Sequence, residues 1–212
     1  MYKNTVMKNL GELLQNGIER NIYSYPDYML LMELVVMEQR TTGPKQSEEL
    51  NDYTRLNLHR MQRLNKTVVL SESLKSAVNQ IKTPQTWYLL TEAWCGDAAQ
   101  NIPVLAAMAK LNPLINLKLL LRDENPDLMD QYLTNGGKSI PKLIAVDESL
   151  NEIFNWGPRP AGAQHMMELY KENPVKSFKE FAEDIHRWYA ADKTQSVQKE
   201  LLSILQGVLV EK

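Results

Sequence analysis

The chain carries a single cysteine, in the stretch Trp94-Cys95-Gly96-Asp97-Ala98-Ala99-Gln100. A thiol attacks only as thiolate, and an unperturbed cysteine is about 3% ionised at pH 7. The apolar run Trp87-Tyr88-Leu89-Leu90-Thr91 precedes the motif, and a helical pattern follows it to about Lys110. Cys95 therefore falls where a helix begins, and the positive end of a helix dipole favours thiolate. Lowering the pKa to about 7 would take ~2 kcal/mol of differential stabilisation. Asp97 has two readings. It is a first-turn acid that stabilises the helix start, or a carboxylate poised to take the thiol's proton or hold a substrate amine. Either way its charge opposes ionisation of the neighbouring thiol. Lys138, Lys142 and Arg159 are the candidate sources of compensating positive charge.

Other chemistries fit less well. Gly137-Lys138-Ser139 imitates the end of a phosphate-binding loop, but Tyr132 stands where the first glycine belongs and a strand follows where a helix should. His59, His165 and His186 lie in separate segments without metal-ligand spacing, so no metal and no cofactor is expected. Pairing Cys95 with a distant histidine for proteolysis conflicts with the order of elements below.

The background is that of an ordinary globular protein. Of 212 residues, 43% are hydrophobic and 24% charged, and the net charge is -2. Such a balance exerts no global pull on nucleic acid or anionic lipid. One cysteine excludes an intramolecular disulfide. The first 20 residues are polar and amphipathic without a continuous apolar core, and no run of about 18 apolar residues occurs. The expectation is a soluble, cytoplasmic chain with no membrane and no nucleic-acid partner.

Three zones must position the motif. Residues 1–66 show helical patterns only. Tyr28 to Met37 is apolar on nearly every side, and a homodimer or the chain's own C-terminal helices would bury it equally well. Residues 45–66 place acids early and bases late, as a dipole-matched solvated helix does. Residues 67–172 alternate between the two periods, in the order βαβαβαββα. Strands are expected at Thr67 to Leu70, Trp87 to Thr91, Asn116 to Leu121, Lys142 to Val146 and Glu152 to Trp156. Ser71 is a helix cap. Residues 173–212 hold two helices with apolar stripes, Phe178, Phe181, Ile185 and Trp188 on one and Val197, Leu201, Leu202 and Leu205 on the other, read as packing surface. The fold class is α/β: a mixed sheet flanked by helices, with helical extensions at both ends.

These residues resemble the thioredoxin family in order and spacing over about 105 residues. Trp94-Cys95-Gly96 sits at the strand-to-helix junction. Pro103 falls where thioredoxins kink the active-site helix, Asp123-Glu124-Asn125-Pro126 follows the next strand, and Ile140-Pro141 stands where the family has its cis-proline. In thioredoxins a second cysteine three residues on resolves the mixed disulfide formed by the first, but here that position is Ala98. The family's buried acid six residues before the first cysteine is Leu89 here. The resemblance implies a substrate groove. Its residues would be Trp94, Gly96, Ile140 and Pro141, with the rim from Trp156 to Pro160, where Trp156 and Arg159 grip an extended peptide or a small thiol. Both tryptophans capping the sheet edge is an equal alternative.

Two functions are compatible with this pattern. In the first, favoured by retention of the cysteine beside Gly96 and Ile140-Pro141, the chain is a monothiol redox protein. Cys95 is its nucleophile, Asp97 tunes the thiol, and a protein or low-molecular-weight thiol or disulfide is the partner. In the second the chain is a redox-inactive module that binds a peptide or protein in the groove beside Pro141.

Overall fold

The structure, a computed structural model, describes residues 10–14 and 19–210. The amphipathic reading of residues 1–9 and 15–18 lies outside them. The described elements run α1 (Leu10–Leu14), α2 (Tyr25–Met37), α3 (Glu48–Thr67), α4 (Glu72–Asn79), β1 (Gln85–Thr91), α5 (Gly96–Leu111) and β2 (Ile115–Leu121). After a 3-10 turn at Arg122–Glu124 come α6 (Pro126–Met129), β3 (Lys142–Val146), β4 (Glu152–Trp156), α7 (Ala161–Glu172), α8 (Phe178–Asp192) and α9 (Gln195–Val210).

The sheet order is β2-β1-β3-β4, with β1 parallel to β2 and antiparallel to β3, and β4 antiparallel to β3. This is the expected mixed α/β sheet flanked by helices. β1 is buried along nearly its whole length and β3 throughout, as the central strands of a sheet covered on both faces must be. The main core gathers Trp87, Leu89, Ile102, Leu105, Leu119 and Ile144 between the sheet and its helices. Among the described residues no helix is long and apolar enough to cross a membrane.

Two expectations need correction. Thr67 to Leu70 is not a strand. Thr67 ends α3, donating its hydroxyl to the Arg63 carbonyl; the Val68 N–H still closes a helical turn on the Leu64 carbonyl, and beyond it side-chain bonds replace a ladder. Gln198 of α9 donates to the Val69 carbonyl at 3.1 Å and accepts from the Ser71 N–H at 2.8 Å. A β-branched run here makes a helix exit, pinned by an amide 127 residues away in sequence. The second concerns one of the two covers expected for α2: the helix packs on α3 and β2 and not chiefly under the C-terminal helices, burying Tyr28, Met32 and Val35, while Leu30, Leu34 and Met37 stay exposed.

Local chemistry accounts for the helix starts. Ser24, Ser47, Ser71 and Ser177 each accept a backbone N–H three residues on, and Ser177 with Glu180 forms a full capping box. At α5 the cap is Cys95 itself.

Candidate functional site

The end of β1 and the start of α5 carry the thiol to the tip of the sheet. Cys95 Sγ accepts the Ala98 N–H at 3.5 Å and donates its proton to the Ile140 carbonyl at 3.3 Å. The Ile140–Pro141 peptide is cis. The loop that holds it is gripped from the far side by Gly157, whose φ is +116°. A Cβ at Gly157 would stand 2.2 Å from the Pro141 carbonyl oxygen, so only glycine lets the end of β4 approach this loop. Cys95 is 7% exposed. Burial pushes its thiol up to about 12, and the Asp97 charge adds to the rise. The Ala98 N–H and Arg159 pull the other way without reversing it.

Asp97 is not free to act as a base toward the thiol. Its carboxylate receives Arg159 Nε at 2.9 Å and Nη2 at 2.7 Å, both on Oδ2, and the Tyr189 hydroxyl at 2.7 Å on Oδ1. Asn101, fully buried on α5, donates to the Asp97 carbonyl at 2.8 Å and to the Tyr189 oxygen at 3.1 Å. This cluster ties α5, α8 and the loop after β4 into one knot. Burial is the larger influence holding the Tyr189 hydroxyl well above the usual phenol range, and the Asp97 charge adds to it.

Above the motif lies α8. A Cβ on Gly96 would come within 2.7 Å of His186 Cε1, so the glycine leaves the gap into which that ring fits. His186 also meets the Gln100 amide at 3.4 Å. Burial, reinforced by the Arg60 guanidinium, lowers its pKa to about 4, with the Asp97 charge opposing the shift. The ring is therefore neutral near pH 7.

Trp94 forms the outer wall, with the Arg122 guanidinium stacked 4.8 Å from its ring. Behind it Glu92, 0% exposed, accepts the Asp123 N–H at 2.9 Å and a short hydrogen bond from the Thr42 hydroxyl. Burial raises its carboxyl above the usual range. Together α3, α8, the motif and the loop before β3 enclose a cleft of about 470 Å3.

Of the residues singled out from the sequence, Trp94, Cys95, Gly96, Asp97, Ile140 and Arg159 line this cleft, as does Lys138. Trp156 lies outside it. That ring is 6% exposed and donates to Glu200 of α9 at 2.8 Å, which places it at the covered edge of the sheet. Lys142 is also absent from the cleft wall; it is buried in β3 beside Leu90, and burial lowers its pKa. Sequence reasoning missed His186, Tyr189, Glu92 and Arg60 as members of the site. The only signal was an acid closing an otherwise apolar strand at Glu92.

A four-stranded mixed sheet with a cysteine capping the helix after its central strand, facing a cis-proline loop, defines a thioredoxin-like protein. A family model described as Thioredoxin matches residues 43–199, and the chain belongs to that family. A search of the curated proteins finds no match. Two solved structures share the fold. An HIV epitope scaffold is 18% identical, covering 87% of this chain and 99% of its own at a TM-score of 0.54. A protein of unknown function from Pseudomonas aeruginosa is 17% identical, covering 87% and 98% at a TM-score of 0.51.

Proposed function

We propose that this thioredoxin-family chain is a redox-inactive binding module whose ligand site is the cleft between the Trp94–Asp97 motif and α8. One observation supports this above the others: the Cys95 proton is committed to the Ile140 carbonyl in a buried setting that pushes the thiol to about 12. A thiol raised that far by burial is almost wholly protonated at neutral pH, which disfavours exchange with a partner disulfide. The resolving position is Ala98 and the resolving acid's position is Leu89. Cys95 then serves as a cap, fixing the start of α5 and the loop before β3.

The competing reading, a monothiol redox protein, keeps one supporting observation. The sulfur sits at a helix start directly beside the Ile140 carbonyl, the place from which a mixed disulfide would form. The two readings part on the rate of Cys95 alkylation by iodoacetamide as a function of pH. The binding module requires slow modification with no midpoint below about 8.5; a midpoint clearly below 8 would establish a reactive thiolate and remove the proposal.

A further inference from the structure

We infer that the α7–α8 hairpin is a displaceable lid, which swings on Lys193 and Thr194 and uncovers Cys95 and Gly96 while the sheet stays folded. The inference goes beyond the binding-module reading and stands whichever of the two functions applies.

The hairpin turns its apolar contacts inward. Ala163, Phe181, Ile185 and Tyr189 are buried together, and the partly buried side chains packed on them also belong to α7 or α8. Tyr170 of α7 stacks on Phe181 of α8 with ring centres 4.2 Å apart. Gly162 lets the Trp188 indole close on α7, since a Cβ there would come within 2.8 Å of it. The two helices pack chiefly on each other. Among the described residues no apolar side chain of either joins the core that runs through the sheet. Between the hairpin and the motif lies the cleft, and what crosses to the scaffold is polar. Tyr189 donates to Asp97 and accepts from Asn101, and His186 meets Gln100. At the root, Arg159 holds Gln164 and Glu200 holds the Ala161 N–H, while Asn135 reaches Glu168 at 3.4 Å on the exposed flank. Shared apolar burial is what makes a helix inseparable from its domain, and segments without it open at low free energy. Detaching this hairpin breaks a few hydrogen bonds and bares little of the core.

The pivot is visible in the backbone. Asp192 ends α8 and Gln195 starts α9, and between them Lys193 and Thr194 have φ of +51° and +65°. Positive φ is uncommon for any residue but glycine, and for a β-branched one such as Thr194 it is an outlier. Asp192 keeps the corner together by accepting the Ser196 N–H and hydroxyl. Beyond it α9 is fixed, with Val197, Leu201 and Leu205 in the main core. A strained corner between a fixed helix and a loosely fastened one is where a swing concentrates, because leaving the closed position relieves the strain.

Alkylation of Cys95 in the full chain, at fixed pH and rising urea, tests this with iodoacetamide as a small reagent and fluorescein-5-maleimide as a bulky one. Modification through an open lid should rise with urea at less than about a third of the slope of global unfolding, because a detached hairpin exposes far less surface than an unfolded chain. The two reagents should keep the rate ratio they show on the urea-unfolded chain, since both wait for the same opening. Tyr189→Phe deletes the hydroxyl bonded to Asp97 and keeps the ring. It should speed both reactions about tenfold or more with the slope unchanged. A slope equal to that of global unfolding overturns the lid. So does exclusion of the bulky reagent alone, which means entry through the standing cleft, and so do rates indifferent to Tyr189→Phe. The pH midpoint of the same reaction reads the binding module separately, so either idea can fail without the other.

Discussion

Among the described residues the molecule holds two apolar clusters of very different character. The main one spans the sheet and the helices on both its faces and is made almost wholly of aliphatic and aromatic side chains. The second is small, with Ala163, Phe181, Ile185 and Tyr189 buried between α7 and α8. The first needs no help to cohere. The second is attached to the rest of the site by hydrogen bonds and an ion pair, from Tyr189 and Arg159 to Asp97, from Asn101 to Tyr189, and between His186 and Gln100. The scaffold and the cover of the thiol are therefore stabilised by different forces. A change that loosens the cover therefore need not melt the scaffold.

The largest loss of stability is expected at the centre of the sheet. Leu119→Ala, at a fully buried position of β2, should cost about 4 kcal/mol in chemical denaturation, with every element losing amide protection together. A smaller and local effect is expected from Asp97→Asn. The carboxylate pairs Arg159 at 2.7 Å with both side chains largely buried, and cancelling one charge of such a pair costs about 3 kcal/mol. Hydrogen exchange should rise in residues 178–192 while β1 and β3 stay protected, and Cys95 should alkylate faster. Unchanged exchange in α8 would mean the knot does not hold the cover.

The finest distinction comes from pH. His186 is held neutral to about 4 in the folded chain but protonates near 6.5 when unfolded. As pH falls from about 6.5 to 4, the unfolded state binds the proton first, so the stabilisation present above pH 6.5 drains away. Arg60 on α3 and Asp97 on α5 are the charges facing the ring. With allowance for partial exposure the loss is about 2 kcal/mol. His186→Gln should flatten this part of the acid profile, read as α8 amide exchange between pH 7 and 4. A profile unchanged by the substitution would show that another group titrates there.

Legibility in the sequence follows the same division between scaffold and cover. β1, β2, β3 and the cysteine at the start of α5 were legible because apolar runs and strand-to-helix junctions are local patterns. The cover was not. Phe181 and Ile185 announced a buried stripe, but a helical period says which face is covered and never what covers it, so nothing local marked Tyr189 or His186 as part of the site. Glu92 was hidden for a related reason, since its partners lie 50 residues back at Thr42 and 31 ahead at Asp123. Val68 and Val69 misled because β-branched side chains suit a strand or a helix exit alike, and the deciding amide, Gln198, belongs to the last helix.

One small feature near the N-terminus reaches beyond the site. Tyr23 exchanges two backbone hydrogen bonds with Leu119, at 2.9 and 2.8 Å, along the outer side of β2. Arg20, just before it, clasps Asp127 at 2.6 Å. That short clasp occupies part of an otherwise bare strand margin, the kind of ragged border through which sheets of separate molecules zip together. The stretch ahead of α2 thus acts as a selvedge: it adds little to the core, yet it discourages one molecule's sheet from being stitched onto the next.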